Sequence, residues 1–234
     1  MEYKEDELKE GIKLHVMDTD KFKTNLIAIF LTTKLDRNDV TKNALISAIL
    51  RRGSKNMHSQ EEISKELEEM YGASFDCGLD KTGDNQVLKF YIETINDNYL
   101  PKQGENILKK ATEKLIEIVF NPYTENNGFK QEYVEQEKNN IKQRIEGKID
   151  NKARYAIDRC IEEMYKNSPY GIYKFGSIEE LEKMSKSRKY MNYTSIYWRN
   201  RQKRVKMQMK TKWKRNANYN KKRKDETKNE KESN

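Results

Sequence analysis

Residues 49–76 read ILRRGSKNMHSQEEISKELEEMYGASFD, and the order of signals inside them decides the layout of the chain. The stretch opens on the end of an apolar helix and breaks at Gly53. It reopens at Ser59-Gln-Glu-Glu62, a capping-box pattern, and places Ile63, Leu67 and Met70 on one helical face before Gly72. It then runs into a strand. Working back, Val40, Ala44, Leu45, Ala48 and Ile49 keep helical spacing from Asp39, and Ile46 and Leu50 broaden the stripe, so this first helix is expected to be mostly buried, with Gly53 as its C-terminal cap. Two helices in succession, not alternating with strands, argue against a parallel sheet.

Before that helix, Ile12, Leu14 and Val16 alternate with Lys13, His15 and Met17, the period of a half-buried strand. Residues 25–33, NLIAIFLTT, are apolar on both faces and read as a central strand forming a hairpin with the first. After Gly72 come strands over about 73–80 and 86–95, the second carrying Leu88, Phe90 and Ile92 on one side and Val87, Lys89, Tyr91 and Glu93 on the other. From Pro101 a helix buries Ile107, Ala111, Leu115, Ile118 and Val119 and stops at Asn121-Pro122. Charged helices follow over about 129–149 and 151–166, the latter using Ile157, Cys160, Ile161 and Met164. A turn at Ser168-Pro-Tyr-Gly171 and a short helix from Ser177 complete the pattern. The elements are segregated, which is the α+β class: an antiparallel-rich sheet with helices packed on one face.

Composition narrows the function classes. Of 234 residues 36% are charged and only 35% hydrophobic, and no apolar run is long enough to span a membrane. Two cysteines, Cys77 and Cys160, make no disulfide framework and read as buried small hydrophobes in a reducing, cytoplasmic compartment. The net charge of +9 is not evenly spread: residues 186–234 hold 18 Lys and Arg against 4 Asp and Glu, leaving a mildly acidic body. Only two histidines occur, His15 and His58, each without a neighbouring imidazole and read as a surface or edge residue. Gly-rich phosphate loops are absent, and no cofactor is implied. The carboxylates Glu132, Glu135, Glu137 and Glu146 read as the solvated face of a Lys-rich helix.

The strings 49–76, 85–100 (NQVLKFYIETINDNYL) and 135–165 (EQEKNNIKQRIEGKIDNKARYAIDRCIEEMY) together resemble one half of an insulinase/pitrilysin-type peptidase, the N-terminal half, in its YmfF-type, non-catalytic bacterial branch. The resemblance covers about residues 9–186 and implies the α+β half-domain of that family. Active members are inverzincins, which hold zinc through His-x-x-Glu-His on the first buried helix, with the motif Glu as general base. Setting Arg52-Gly53-Ser54 on the family's Lys-Gly-Thr puts the ligand positions at Ala44 and Ala48 and the base position at Ser47. Alanine has no lone pair for zinc and serine does not replace a carboxylate base, so the resemblance implies a homologue that is not an enzyme. The distal ligand region reads Gln143-Arg144. In this family two homologous halves, on one chain or two, close around a chamber for an extended peptide. The implied partners are therefore a zinc-bearing homologous subunit and a peptide, which a strand edge can bind by β-augmentation.

Arg154, Tyr155 and Arg159, with Tyr170 and Tyr173 in the following loop, form an aromatic-plus-Arg set typical of interface contacts. The same aromatics can instead plug the core edge beneath that loop. Residues 1–8 are expected to be flexible, 9–186 to form the domain, and 187–234 to be a disordered basic tail. Trp198, Trp213 and Tyr219 interleaved with Arg and Lys formally suit nucleic acid, if the tail is genuine. Its Lys-, Asn-, Arg- and Met-rich composition also fits an A-rich coding sequence read out of frame, and hence a truncated chain.

Overall fold

The computed structural model describes residues 2–9, 11–100, 105–126 and 128–185; the basic segment beyond lies outside the described residues. The described chain divides at Phe22 into two compact units. The first contains β1 (Glu2–Lys9) and β2 (Ile12–Asp18), paired antiparallel with Tyr3 opposite Met17 and Glu5 opposite His15. The N-terminal residues expected to be flexible are thus a strand. Its sequence, EYKEDELK, sets only Tyr3 and Leu8 among charged residues, so no hydrophobic alternation marks it, and it is held by pairs such as Lys13 Nζ to Glu5 at 2.7 Å and Tyr3 Oη to His15 Nδ1 at 2.8 Å. His15, Val16 and Met17 are all exposed.

The body begins with β3 (Thr24–Lys34), which does not pair with β2 as the sequence suggested. It pairs in register with β5 (Asn85–Ile95) along its whole length, and β4 (Ser74–Thr82) pairs with the other side of β5. The order β3-β5-β4 makes β5 the central strand and β3 an edge. Burial explains the choice: Ile27, Ile29 and Leu31 lie opposite Ile92, Phe90 and Leu88, so pairing with β5 gathers apolar side chains on one face. The other face of β3 remains open, with Leu26 66% and Phe30 60% exposed, which is why a run apolar on both faces is not a central strand here.

Helices cover the inner face. The first, α1 (Val40–Leu50), lies on β4 and β5, while α3 (Ile107–Phe120) lies on β5 and β3. Ile46, Leu50, Leu115, Ile118 and Val119 meet Leu88, Phe90 and Ile92 in a core from which water is excluded. Between them α2 (Gln60–Glu68) begins as read: Ser59 Oγ accepts from Glu62 N at 3.2 Å, and the Glu62 carboxylate accepts from His58 N at 2.9 Å. Short strands β6 (Thr124–Glu125) and β7 (Gly128–Phe129) lead into α4 (Gln131–Glu146), which packs on α1; α5 (Lys152–Met164) and α6 (Ile178–Ser185) follow.

Gly53 does not act as a left-handed cap. Instead a Cβ there would sit 2.7 Å from the His58 carbonyl oxygen, because the loop after α1 folds tightly against its own backbone. That loop is tied to the end of α3: Lys55 N donates to Asn121 O at 2.7 Å, and Glu117 Oε1 accepts from both Ser54 Oγ and Asn56 N, at 2.8 and 3.1 Å. The C-terminus of α1 is fixed to the far side of the core by these bonds.

Candidate functional site: the degenerate motif and the surface beside it

Ala44 and Ser47 sit on the buried side of α1, and Ala48 is half-buried. Ser47 Oγ donates to the Ala44 carbonyl at 3.0 Å, a bond within the helix that leaves it aimed at no external group. Across from it on β4, Cys77 Sγ donates to the Ser47 carbonyl at 3.7 Å. Burial pushes the Cys77 thiol up to about 11, so it is not a thiolate at neutral pH, although the charge of Arg51 opposes the shift. A zinc ion needs imidazole, thiolate or carboxylate donors. Two alanines, a serine bonded to its own helix and a protonated thiol do not fit one. Among the described residues no group of three or more His, Cys, Asp or Glu side chains is placed to hold a metal.

A buried polar pair holds α1 in this position. Gln86 occupies the inward phase of β5 and is fully buried. Its side-chain oxygen accepts from Asn43 Nδ2 at 3.0 Å, and its Nε2 donates to the carbonyls of Val40 and Lys174 at 3.0 and 2.8 Å. Sequence reasoning missed this pair. The available signal was parity: Gln86 shares the face of Leu88, Phe90 and Ile92, where an amide must find partners.

On α4 the carboxylates separate. Glu132 and Glu146 are exposed as expected and Glu135 is half-buried, but Glu137 is only 5% exposed, so the solvated-face reading fails for it. It forms an ion pair with Arg52 Nε and accepts from Asn140 Nδ2 at 3.2 Å. The pair of Arg52 on the loop with Glu137 on α4 clamps α4 over α1. Gln143 and Arg144 lie on the exposed side of the same helix, with the Arg144 guanidinium 5.8 Å from the Phe175 ring centroid.

The aromatic-plus-Arg set also divides. Arg154 and Arg159 lie on the surface of α5, Arg154 paired to Asp158 at 3.2 Å and Arg159 to Glu162 and Glu163 at 2.8 Å each. Tyr155 and Tyr173 both face Lys148, whose Nζ lies 5.8 and 4.2 Å from their ring centroids and 2.5 Å from Glu162. Burial raises the Tyr173 phenol above its usual value. Tyr170 packs edge-on to Tyr165 with centroids 4.9 Å apart, and the Lys81 ammonium lies 4.6 Å from its ring. The three tyrosines therefore anchor the loop after α5 to β4 and α5, while the two arginines remain at the surface.

The remaining face of α5 departs from expectation. Cys160, read as buried, is exposed, as are Ile157 at 52% and Met164 at 71%; none of the helix's residues is fully buried. Ala153, Ile157, Cys160 and Met164 follow the spacing of one helical stripe. The sequence shows the stripe and not what covers it. His58 is an exposed loop residue, its ring 4.7 Å from that of Tyr123.

The chain is 36% identical over 185 residues to "Probable inactive metalloprotease YmfF" of Bacillus subtilis (strain 168), a match covering 79% of this chain and 43% of that protein. Over these residues the chain is similar to that probable inactive metalloprotease, and its own Ala44, Ser47 and Ala48 bring no imidazole or carboxylate to a metal. No family model matches it. The crystal structure of a conserved protein from Enterococcus faecalis V583 shares 29% identity at a TM-score of 0.74, over 85% of this chain and 45% of that one. The fold recurs in the peptidase M16 inactive domain from Pseudomonas fluorescens (14% identity, TM-score 0.61, 83% of this chain and 43% of the other) and in pitrilysin (16%, 0.55, 86% and 19%). The chain thus spans less than half the length of the curated relative it matches. Among the described residues no helix is long and apolar enough to cross a membrane.

Proposed function

We propose that this M16 homologue acts as a non-catalytic subunit that pairs with a zinc-bearing homologue and forms part of the wall of a chamber for extended peptides. The observation that carries the reading is the uncovered apolar stripe of α5, extended at its start by Ile149, 47% exposed. A contiguous exposed apolar stripe is the kind of surface that a protein partner covers. Charged residues flank it: Arg154, Arg159 and their acidic partners supply a polar rim around an apolar centre, the anatomy of a docking face. Tyr155, Tyr170 and Tyr173 hold the adjoining loop rigid, so that this face is preformed. Peptide capture falls to the outer edge of β4, which among the described residues pairs with no further strand.

Co-purification of the full chain with a zinc-bearing homologous subunit tests the pairing. Complex formation is expected with the wild-type chain and is expected to be lost in Ile157→Glu and Met164→Glu, which put charge into the stripe without disturbing the core. Binding that is indifferent to both substitutions would refute the assignment of α5 as the contact face.

A further inference from the structure

The two edges of the sheet differ in chemistry. The β4 edge carries Asp76, Asp80 and Lys81, whereas β3 has no charged residue, Pro or Gly from Thr24 to Thr33. Among the described residues β3 has a strand on one side only. Lys23 O accepts from Asn96 N at 2.9 Å and Leu35 N donates to Asp84 O at 2.8 Å, so the odd-numbered residues between them turn their backbone groups to β5. Backbone groups alternate in direction along a strand. Those of Leu26, Ala28, Phe30 and Thr32 therefore point away from the sheet.

Both faces of this edge are also incompletely covered. On the outer face Leu26 and Phe30 are exposed. On the helix face Ile27, Ile29 and Leu31 are only half-buried, although Ile92, Phe90 and Leu88 opposite them are fully buried. The core is thus open along β3. Proteins blunt an exposed edge with charge, Pro or a bulge. β3 has an unbroken register with β5 and none of these devices before Lys34. An uncharged run of such high β-propensity is an aggregation hazard when left open. The edge calls for a strand that is apolar on both faces and brings no charge. β1, β2, β4 and β5 each carry charged residues within the strand, whereas β3 itself meets the requirement.

We propose that β3 is a homodimer edge, to which a second copy of the chain adds its own β3 antiparallel, joining the two sheets into one. With Ile29 on the twofold axis, Ile27 lies opposite Leu31, Ala28 opposite Phe30, and Leu26 opposite Thr32 of the second copy. Residues opposite one another in an antiparallel pair share a face, so the helix-side residues meet helix-side residues and the outer ones meet outer ones. The charges at the ends are compatible as well. Lys34 falls opposite Thr24 of the second copy, and Lys23 lies on the other face, so no like charges meet. The contact lies at the opposite edge of the sheet from β4 and leaves that edge open.

Sedimentation velocity over a dilution series of the full chain, with hydrogen exchange at both ends of the series, tests this. A dimer is expected, with the amides of Leu26, Ala28, Phe30 and Thr32 losing protection as it dissociates. Ala28→Pro removes an outward N–H without touching the ladder to β5, and Phe30→Lys puts a charge at an exposed position. Each is expected to raise the dissociation constant about 10-fold or more, with far-UV circular dichroism unchanged. Residues opposite in such a pair lie about 5.5 Å apart at Cα, inside the ~4.4–6.8 Å range of a disulfide. Mild oxidation should therefore give a covalent dimer from Leu26→Cys combined with Thr32→Cys, in a Cys160→Ser background, and not from either change alone. Failure of the combined variant to cross-link would overturn the pairing. A monomer at every concentration would overturn it too: protected β3 amides would mean that another segment of the same chain covers the edge, and unprotected ones that nothing does. A dimer indifferent to Ala28→Pro and Phe30→Lys, or lost instead in Ile157→Glu, would place the contact elsewhere and sink the proposal.

Discussion

Replacing Gln86 by Leu changes the volume of the side chain little and removes a buried amide at the junction of α1, β5 and the loop before α6. Gln86 is fully buried and Asn43 is 3% exposed, so no water reaches the space to replace the lost bonds. The substitution strands Asn43 Nδ2 without an acceptor and takes one donor each from the carbonyls of Val40 and Lys174. A buried donor left unpaired costs about 1–3 kcal/mol, and each further neutral hydrogen bond is worth about 1 kcal/mol net. Leu returns part of this through its apolar surface, leaving an expected loss of about 3 kcal/mol, a large share of the ~5–15 kcal/mol available to a domain. Urea unfolding followed by far-UV circular dichroism, with the slope unchanged, measures it. Asn43→Leu combined with Gln86→Leu is expected to cost less than the sum of the two single changes, because the pair is then removed together. A loss below about 1 kcal/mol for Gln86→Leu, or strict additivity in the double variant, would refute the claim that this pair locates α1.

Three further outcomes are expected. Gly176 has a φ of +77° and an added Cβ would lie 1.9 Å from Thr41 Oγ1, so Gly176→Ala should destabilise by more than about 3 kcal/mol, read as a lower midpoint in the same urea titration. Iodoacetamide at neutral pH should alkylate exposed Cys160 well before Cys77, whose thiol is pushed up to about 11 by burial; mass spectrometry showing Cys77 modified first would contradict the packing of β4 on α1. The Asp80 carboxyl is held below its ordinary value by Lys89 first and by Lys174 second. Its stabilising contribution is therefore complete above the unfolded value of about 4 and lost as pH falls through the lower folded value. NMR titration should find Asp80 below the ordinary carboxylate range, and Lys89→Met should raise it.

Much of the body is legible in its sequence because the controlling interactions are local or periodic. The capping pair Ser59 and Glu62, the inward phase of Leu88, Phe90 and Ile92, and the broad apolar stripe of α1 each follow from spacing alone. The identity of β3's partner does not, since nothing in residues 25–33 specifies whether the neighbour is the preceding strand or one some sixty residues later. Glu137 reads as one more surface carboxylate among lysines until Arg52 is seen to meet it from the far end of α1. Gly53 reads as a cap, yet its small size is needed for the close approach of His58. That Ala44, Ser47 and Ala48 bring no imidazole, thiolate or carboxylate is legible in full, because it is a property of the residues themselves. The exposure of Ile157, Cys160 and Met164 is not, because what would cover them is not in the described chain.

The most direct test of the account is the zinc content and peptidase activity of the purified full chain, alone and mixed with a zinc-bearing homologous subunit. Alone, the chain is expected to carry no stoichiometric zinc after exposure to the metal and to show no chelator-sensitive cleavage of an extended peptide. In the mixture, zinc is expected at one ion for each homologous partner, with activity that depends on both chains. One zinc bound per molecule of this chain alone, together with chelator-sensitive activity, would contradict the account at its centre.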